Sequence, residues 1–473
     1  MHTHAPEQLP DAYIGADLRL SYIWTISFVA ALGGLLFGYD WVVIGGAKPF
    51  YEVYFGLTSE ALIGWANSCA LLGCFAGSLL AGPAADKLGR KNLLVISALL
   101  FAVSSILTGW AHSFDAFIVW RMTGGVAIGL ASNVSPMYIA EISPARLRGR
   151  LVSLNQLAIV IGILAAQLVN WRIAERVPAE AHQLVLATSW NVQYGWRWMF
   201  TAVAVPSVLF LCSAPFIPES PRWLTARANP HAALDVLSRI GGQRYAQLEL
   251  SSIQNSLAAP HESSGWRELL SSPGRKLVAI GAELAVLQQW SGINILFNYA
   301  QEVYRSAGYG VSEILFNIVI TGTINFVFTI VAMLLVDRFG RRRLMMIGCI
   351  AIGVSHLAAC VAYRLQAQGT WVLVLTLCAI ACYAMSLAPV TWVLITEIFP
   401  NRMRASAVSV SVAVLWAASF MLTYTFPLLN QSLGTSGAFL IYAGICFAGA
   451  VFVSATVRET KGRSLESLEK TTR

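Results

Sequence analysis

Charge is what this chain has little of. Only 12% of its 473 residues are Asp, Glu, Lys or Arg, and 56% are hydrophobic. Mean hydropathy is +0.63. Soluble domains carry about 25% charged residues, so an ordinary soluble class is excluded. Motifs for covalent chemistry are missing too. There is no phosphate-cradling Walker loop, no nucleophile elbow and no metal-ligand spacing among the seven His. The eight cysteines, Cys69, Cys74, Cys212, Cys349, Cys360, Cys378, Cys382 and Cys446, all fall in apolar runs. That placement fits core packing rather than a disulfide framework or a metal site. The chain is therefore not expected to be an enzyme or to hold a cofactor. The stretch from Met1 to Leu20 is polar, which rules out reading it as a secretory signal peptide.

Long apolar runs are what is there. Twelve stretches have the length of membrane spans: 21–44, 61–82, 92–111, 114–140, 151–171, 197–217, 277–304, 312–336, 344–363, 371–397, 405–427 and 436–457. Lys and Arg fix the expected orientation. With the N-terminus cytoplasmic, inner segments hold 25 of the 32 and outer loops five, at Lys48, Arg172, Arg176, Arg305 and Arg364. Such a bias places both termini inside an inner, or plasma, membrane. It also accounts for the net charge of +8 without a nucleic acid partner.

Two signatures recur. Asp86-Lys87-Leu88-Gly89-Arg90 returns as Asp337-Arg338-Phe339-Gly340-Arg341, 251 residues later. Glu141-Ile142-Ser143-Pro144, with Arg146 and Arg148, returns as Glu397-Ile398-Phe399-Pro400 with Arg402 and Arg404, at an offset of 256. Near-equal offsets mean a duplicated six-helix unit, the arrangement of secondary transporters with a site between the halves. The expected division is 1–217 for the first half, 218–276 for a cytoplasmic linker with short amphipathic helices, 277–457 for the second half and 458–473 for a tail. Glycine lets the short loops turn sharply, and their carboxylates and guanidiniums can lock helix ends by forked ion pairs.

Within the seventh run lies Gln288-Gln289-Trp290-Ser291-Gly292-Ile293-Asn294. Three primary amides in hydrocarbon need partners. Each amide both donates and accepts, which matches a ligand rich in hydroxyls. On a regular helix Gln288 and Asn294 would point about 120° apart; Ser291-Gly292 supplies a place to bend or unwind so that they converge. Helix–helix glue is the competing use of such amides. Further polar stripes lie at helical spacing in the fifth run (Gln156, Gln167, Asn170) and the eighth (Asn317, Thr321, Asn325).

The paired Asp-x-x-Gly-Arg loops, Pro218-Glu219-Ser220-Pro221-Arg222-Trp223-Leu224, the Gln-Gln-x-x-Gly-Ile-Asn run and Glu459-Thr460-Lys461-Gly462-Arg463 resemble the sugar porter family of the major facilitator superfamily, over about 20 to 466. Bacterial xylose–proton symporters and their hexose-transporting relatives are the most similar members. The resemblance implies an all-α membrane fold of twelve transmembrane helices in two halves that rock to expose a central monosaccharide site alternately. It implies sugar contacts from Gln156, Gln288, Gln289, Asn294, Asn325 and Trp392, with Ile163 on the face of Gln156, and with Phe37, Asn298 and Trp416 closing the pocket. A Trp offers an apolar platform and an indole N–H to a sugar. Pro389, just before Trp392, allows a kink. A cytoplasmic gate is implied from Asp86, Arg90, Glu141, Arg148, Glu219, Arg222, Asp337, Arg341, Glu397 and Arg404. The chain departs from the family at Leu415, where close relatives have an amide. It departs again at Asn298-Tyr299, where many have two tyrosines, and at Arg458, where the tail signature begins with Pro.

Two charges lie deep in spans, Asp40 and Arg121, each costing about 2.5–3.5 kcal/mol at a helix centre unless paired. Proton-coupled sugar porters have Asp at the position of Asp40. A carboxylate that leaves and rejoins a guanidinium can carry a proton, so the proton is the expected coupling ion; a permanent structural pair is the competing reading. Glu283, near the inner end of its run, can snorkel to the cytoplasmic side. The expected function is monosaccharide–proton symport by a chain that works as a monomer in the bilayer. A facilitative uniporter, a transport-inactive sugar sensor and a drug or metabolite antiporter are the rivals.

Overall fold

The computed structural model describes residues 18–177, 187–258, 269, 271–367, 369–400, 403–457 and 459, without the side chains of 335–338, Thr396 and Ala405. Among the described residues every regular element is helical. Ten stretches of these described residues are long and apolar enough to cross a bilayer.

The first half contains α1 (Leu20–Tyr54), α2 (Glu60–Leu88), α3 (Arg90–Gly109), α4 (Phe114–Ile142) and α5 (Arg148–Ile173). It closes with α6 (Asn191–Phe216), which begins as a π-turn. The linker carries α7 (Pro221–Ala226) and α8 (Pro230–Ala258). In the second half the seventh run is broken into α9 (Ser272–Trp290), α10 (Ile293–Asn298) and α11 (Ala300–Arg305). Then come α12 (Val311–Phe339), α13 (Arg341–Arg364), α14 (Gly369–Met385) and α15 (Leu387–Glu397). Last is α16 (Arg404–Thr456), which is non-helical at Gly434 and therefore contains the eleventh and twelfth spans back to back.

Apolar helices have little hydrophobic reason to associate in lipid, so small residues that permit close contact decide the packing. Gly73 and Gly77 of α2 lie against Gly125 and Gly129 of α4 with no room for a side chain between them. Among the described residues the halves meet through α2 with α16, α5 with α12, and α1 with α10, α11 and α12. The linker helix α8 buries Ala233, Val236, Leu237 and Ile240 on one face. Its Ile240 carbonyl accepts a hydrogen bond of 2.9 Å from Arg19 N, so the start of α1 and the linker share one end of the bundle. That end also carries the basic loops and is called the basic end below; the other is the far end.

One boundary differs in a way that matters. The first span was expected to stop near residue 44, before Gly45-Gly46, with Lys48 in an outer loop. Instead α1 continues to Tyr54, and Lys48 is only 1% exposed.

Candidate functional site

The break in the seventh run is made by Gly292, whose φ of +85° is left-handed backbone that a residue with a Cβ resists. A Cβ there would also come within 2.9 Å of Tyr442 and 3.0 Å of His356. The break brings the amides together. Asn294 Nδ2 donates to Gln289 Oε1. Gln289 Nε2 donates to Gln288 Oε1 at 3.3 Å. Gln288 Nε2 donates to the carbonyls of Leu387 and Ala388 at 3.4 and 3.3 Å, at the interruption between α14 and α15. The three form one relay, anchored on a second broken helix. Gln289 and Asn294 each retain a further N–H, and all three amide oxygens retain a lone pair, for another partner. The Ser291 carbonyl, freed by the break, is held by His356 Nε2 at 2.8 Å and Cys446 Sγ at 3.6 Å.

The other expected sugar contacts divide by what they touch. Gln156, half-buried on α5, and Asn325, 5% exposed on α12, make no hydrogen bond to another described residue. Ile163 is buried on α5, and Trp392 is half-buried on α15. The rings of Phe37 and Trp416 lie 5.8 Å apart and join the halves, while Trp416 Nε1 is buried with no acceptor. Asn298 is buried with a free Oδ1. Asn170, in contrast, ties α5 to α1 by donating to the Val43 carbonyl at 2.9 Å, as helix glue does. A cavity of about 870 Å³ lies elsewhere, lined mainly by apolar residues such as Ile106, Trp198 and Val205 on the outside of α3 and α6. It lacks the polar groups of a sugar site and faces where lipid would be.

Asp40 and Arg121 form the expected pair, Arg121 Nη1 to Asp40 Oδ1 at 3.0 Å, with side chains 5% and 3% exposed. The pair offsets the cost of putting either charge in the bilayer. Arg121 also covers the Phe200 ring at 5.3 Å. Glu283 is exposed on α9 and plays no part in this pair.

At the basic end each half closes its own charge cluster. Arg90 forks onto Glu141 at 3.0 and 3.1 Å, and also donates to Asp86 and the Ala85 carbonyl. Glu141 accepts from Ser220 as well. Glu219 accepts from the N–H groups of Arg90, Lys91 and Ser220 at 2.9, 3.2 and 2.8 Å. It so satisfies the free donors at the start of α3 and complements the positive end of that helix. The second half repeats the device, with Glu459 Oε1 on Arg341 N at 2.9 Å, at the start of α13. In both copies the preceding glycine, Gly89 or Gly340, has positive φ. Arg341 approaches Glu397 at 3.8 Å, and Arg404 donates to the Phe399 carbonyl. Arg148 and Arg222 are exposed and have no ion pair among the described residues. The Asp337 side chain, Arg402, Arg458 and the rest of the tail signature lie outside the described residues.

At the far end, the contacts cross between halves. Lys48 of α1 sits between Glu52, at 2.9 Å, and Glu302 of α11, and lies 5.1 Å above the Tyr299 ring. Trp41 meets Phe297 at 5.8 Å, and Ser312 Oγ accepts from Val177 N at 2.9 Å. Lys48, Glu302, Glu459 and His356 were not singled out from sequence. Signals existed for two of them. Lys48 and Glu52 have i,i+4 spacing, and Glu459 follows the second half as Glu219 follows the first.

A family model described as sugar (and other) transporter matches residues 26–471. The D-xylose-proton symporter of Escherichia coli is 36% identical over 480 residues, covering 95% of both chains. A glucose transport protein of a Synechocystis strain is 39% identical over 464 residues, covering 95% of this chain and 97% of its own. The Escherichia coli xylose transporter in a partially occluded inward open conformation superposes with a TM-score of 0.83 at 35% identity, covering 94% of this chain and all of that one.

Proposed function

The chain belongs to the sugar (and other) transporter family, and from that premise we propose that it carries a monosaccharide, a pentose or hexose, across the plasma membrane in symport with protons. The observation that carries this reading is the amide relay Asn294–Gln289–Gln288 at a break in the helix, with Gln156 and Asn325 making no hydrogen bond to another described residue. Amides held in place by one another but not saturated are matched to a ligand made of hydroxyls. Trp416, with its indole N–H free, and Trp392 supply the apolar side of such a pocket. Transport needs no cofactor, and the chain is a carrier and not an enzyme. In this reading the sugar passes between the two halves of one chain, so a monomer suffices.

The basic end is cytoplasmic in this reading, with both termini and the linker, because most Lys and Arg lie there. Contacts between the halves at the far end and charge clusters closed within each half at the basic end then describe an inward-facing carrier. The superposition on a partially occluded inward open relative supports that state. Rocking toward the outward-facing state would exchange Lys48–Glu302 for contacts across the basic end.

Proton coupling rests on Asp40. It is a carboxylate held by the Arg121 guanidinium inside a span, and its parting from and return to that partner is the step this reading assigns to the proton. Alternation between the two would let a downhill proton accompany the sugar. The test is uptake of labelled xylose, arabinose and glucose into cells or proteoliposomes, with and without an uncoupler. Asp40→Asn should abolish accumulation against a gradient and preserve sugar binding. Parental, uncoupler-sensitive accumulation by Asp40→Asn would overturn the assignment, and parental uptake that only equilibrates would indicate a facilitative uniporter.

A further inference from the structure

A small cavity lies where the proton pair meets the second half. It is lined by Trp41 of α1, Asn67 of α2, Arg121 of α4 and Asn298 of α10, among others. Its accessible space is about 10 Å³, about the room that one water molecule needs. Asn67, Arg121 and Asn298 are 4%, 3% and 4% exposed. Each presents a polar atom with no protein partner: Arg121 Nε, Asn67 Oδ1 and Asn298 Oδ1. Other atoms of two of these side chains are already committed. Arg121 gives Nη1 to Asp40, and Asn67 gives Nδ2 to the Ile63 carbonyl at 2.9 Å.

We propose that a single water molecule binds between Arg121 Nε, Asn67 Oδ1 and Asn298 Oδ1, and that it links the Asp40–Arg121 pair to the second half. The chemistry balances. One N–H donor and two carbonyl acceptors complement a water that accepts once and donates twice. Three buried polar atoms left unpaired would be costly, and a bridging water is nearly as good as direct hydrogen bonds. Asn298 supplies the only bond of the three from the second half. It is also the last residue of α10, the segment that carries Asn294 of the amide relay. A sugar that shifts α10 therefore shifts an acceptor of this water, and with it the setting of the Arg121 guanidinium. Asn67 and Asn298 are positioning residues in this arrangement: they act on the proton pair through the water. An Asn at 298 leaves space that the larger tyrosine ring common in relatives would occupy.

The site itself can be tested without reference to transport. A structure of the full parental chain at about 2 Å or better, sealed at the far end, should show ordered density within hydrogen-bond reach of all three atoms. A dry cavity overturns the proposal. The functional arm rests on the symport reading and uses Asn67→Leu, which removes one acceptor at similar volume. Uncoupler-sensitive accumulation of labelled xylose or glucose should fall at least fivefold, while counterflow exchange, which needs no proton gradient, stays within twofold of the parent. A purely structural lesion would lower both together, and that result overturns the link, as does parental accumulation. If the parent shows no proton-dependent accumulation, the symport reading fails and the density alone decides the water site; the same holds if Asn67→Leu does not fold.

Discussion

Glu302→Gln isolates an ion pair that joins the halves at the far end. In the structure Lys48 is 1% exposed and is shared by Glu52, on its own helix, and Glu302, on α11. Rocking of the halves separates Lys48 from Glu302 but not from Glu52, four residues along α1. Gln keeps the shape of Glu302 and an acceptor but removes the charge, and Lys48 retains Glu52 at 2.9 Å, so no ammonium is stranded. A charge-assisted hydrogen bond contributes about 1.5–3 kcal/mol. Glu302 is 25% exposed, so solvent screening points to the lower part of that range, about 1.5–2 kcal/mol. The equilibrium between far-end-sealed and far-end-open states should therefore move roughly ten- to thirtyfold toward open. Spin labels on the exposed residues Ser59 and Ser306, in a background with the eight cysteines replaced, would report this by pulsed distance measurement. The long-distance population should grow in Glu302→Gln. An unchanged distance distribution would refute the view that this pair holds the far end shut. Lys48→Met should be more damaging, because it leaves two carboxylates without their cation, at about 3–5 kcal/mol.

Gln289→Ala and Asn294→Ala should each weaken sugar binding about five- to hundredfold, from roughly 1–3 kcal/mol for the buried partner left unpaired, with expression largely intact; parental affinity in both, by titration calorimetry or flux, would make these amides helix glue. Gly292→Ala puts a side chain on left-handed backbone at about 1–2 kcal/mol, besides crowding Tyr442 and His356, so it should lower both the thermal midpoint and sugar affinity. Arg90→Ala removes the fork to Glu141, whose side chain is 12% exposed, and should cost about 3 kcal/mol, read as a lower midpoint in a thermal aggregation assay. Reporter fusions after Pro230 and Lys470 should be cytoplasmic and one after Gly56 external; an external signal from either of the first two would undo the orientation.

The sequence by itself determined the class, the number of spans and the repeat. In a bilayer each span must satisfy its own backbone, so apolar length marks a helix without knowledge of its neighbours. The paired loops were legible for a similar reason: the helix starts at Arg90 and Arg341 both need a sharp turn and an acceptor nearby. Gln288, Gln289 and Asn294 were conspicuous because amides are rare in hydrocarbon, and Gly292 because it is the one residue among them that can turn left-handed. Tertiary structure alone decided what meets what. Asp40 and Arg121 are 81 residues apart in sequence, and nothing local specifies their contact. Lys48 looked like a loop residue because Gly45-Gly46 ended the apolar pattern, yet packing against the second half carries α1 on to Tyr54. Arg148 and Arg222 matched gate positions, but which charges are paired depends on how the halves are rocked, and a state of two packed bodies is not written in either one alone. The same holds for the three orphan atoms around Asn298: each belongs to a different helix, and only the packing of α2, α4 and α10 turns them into one site.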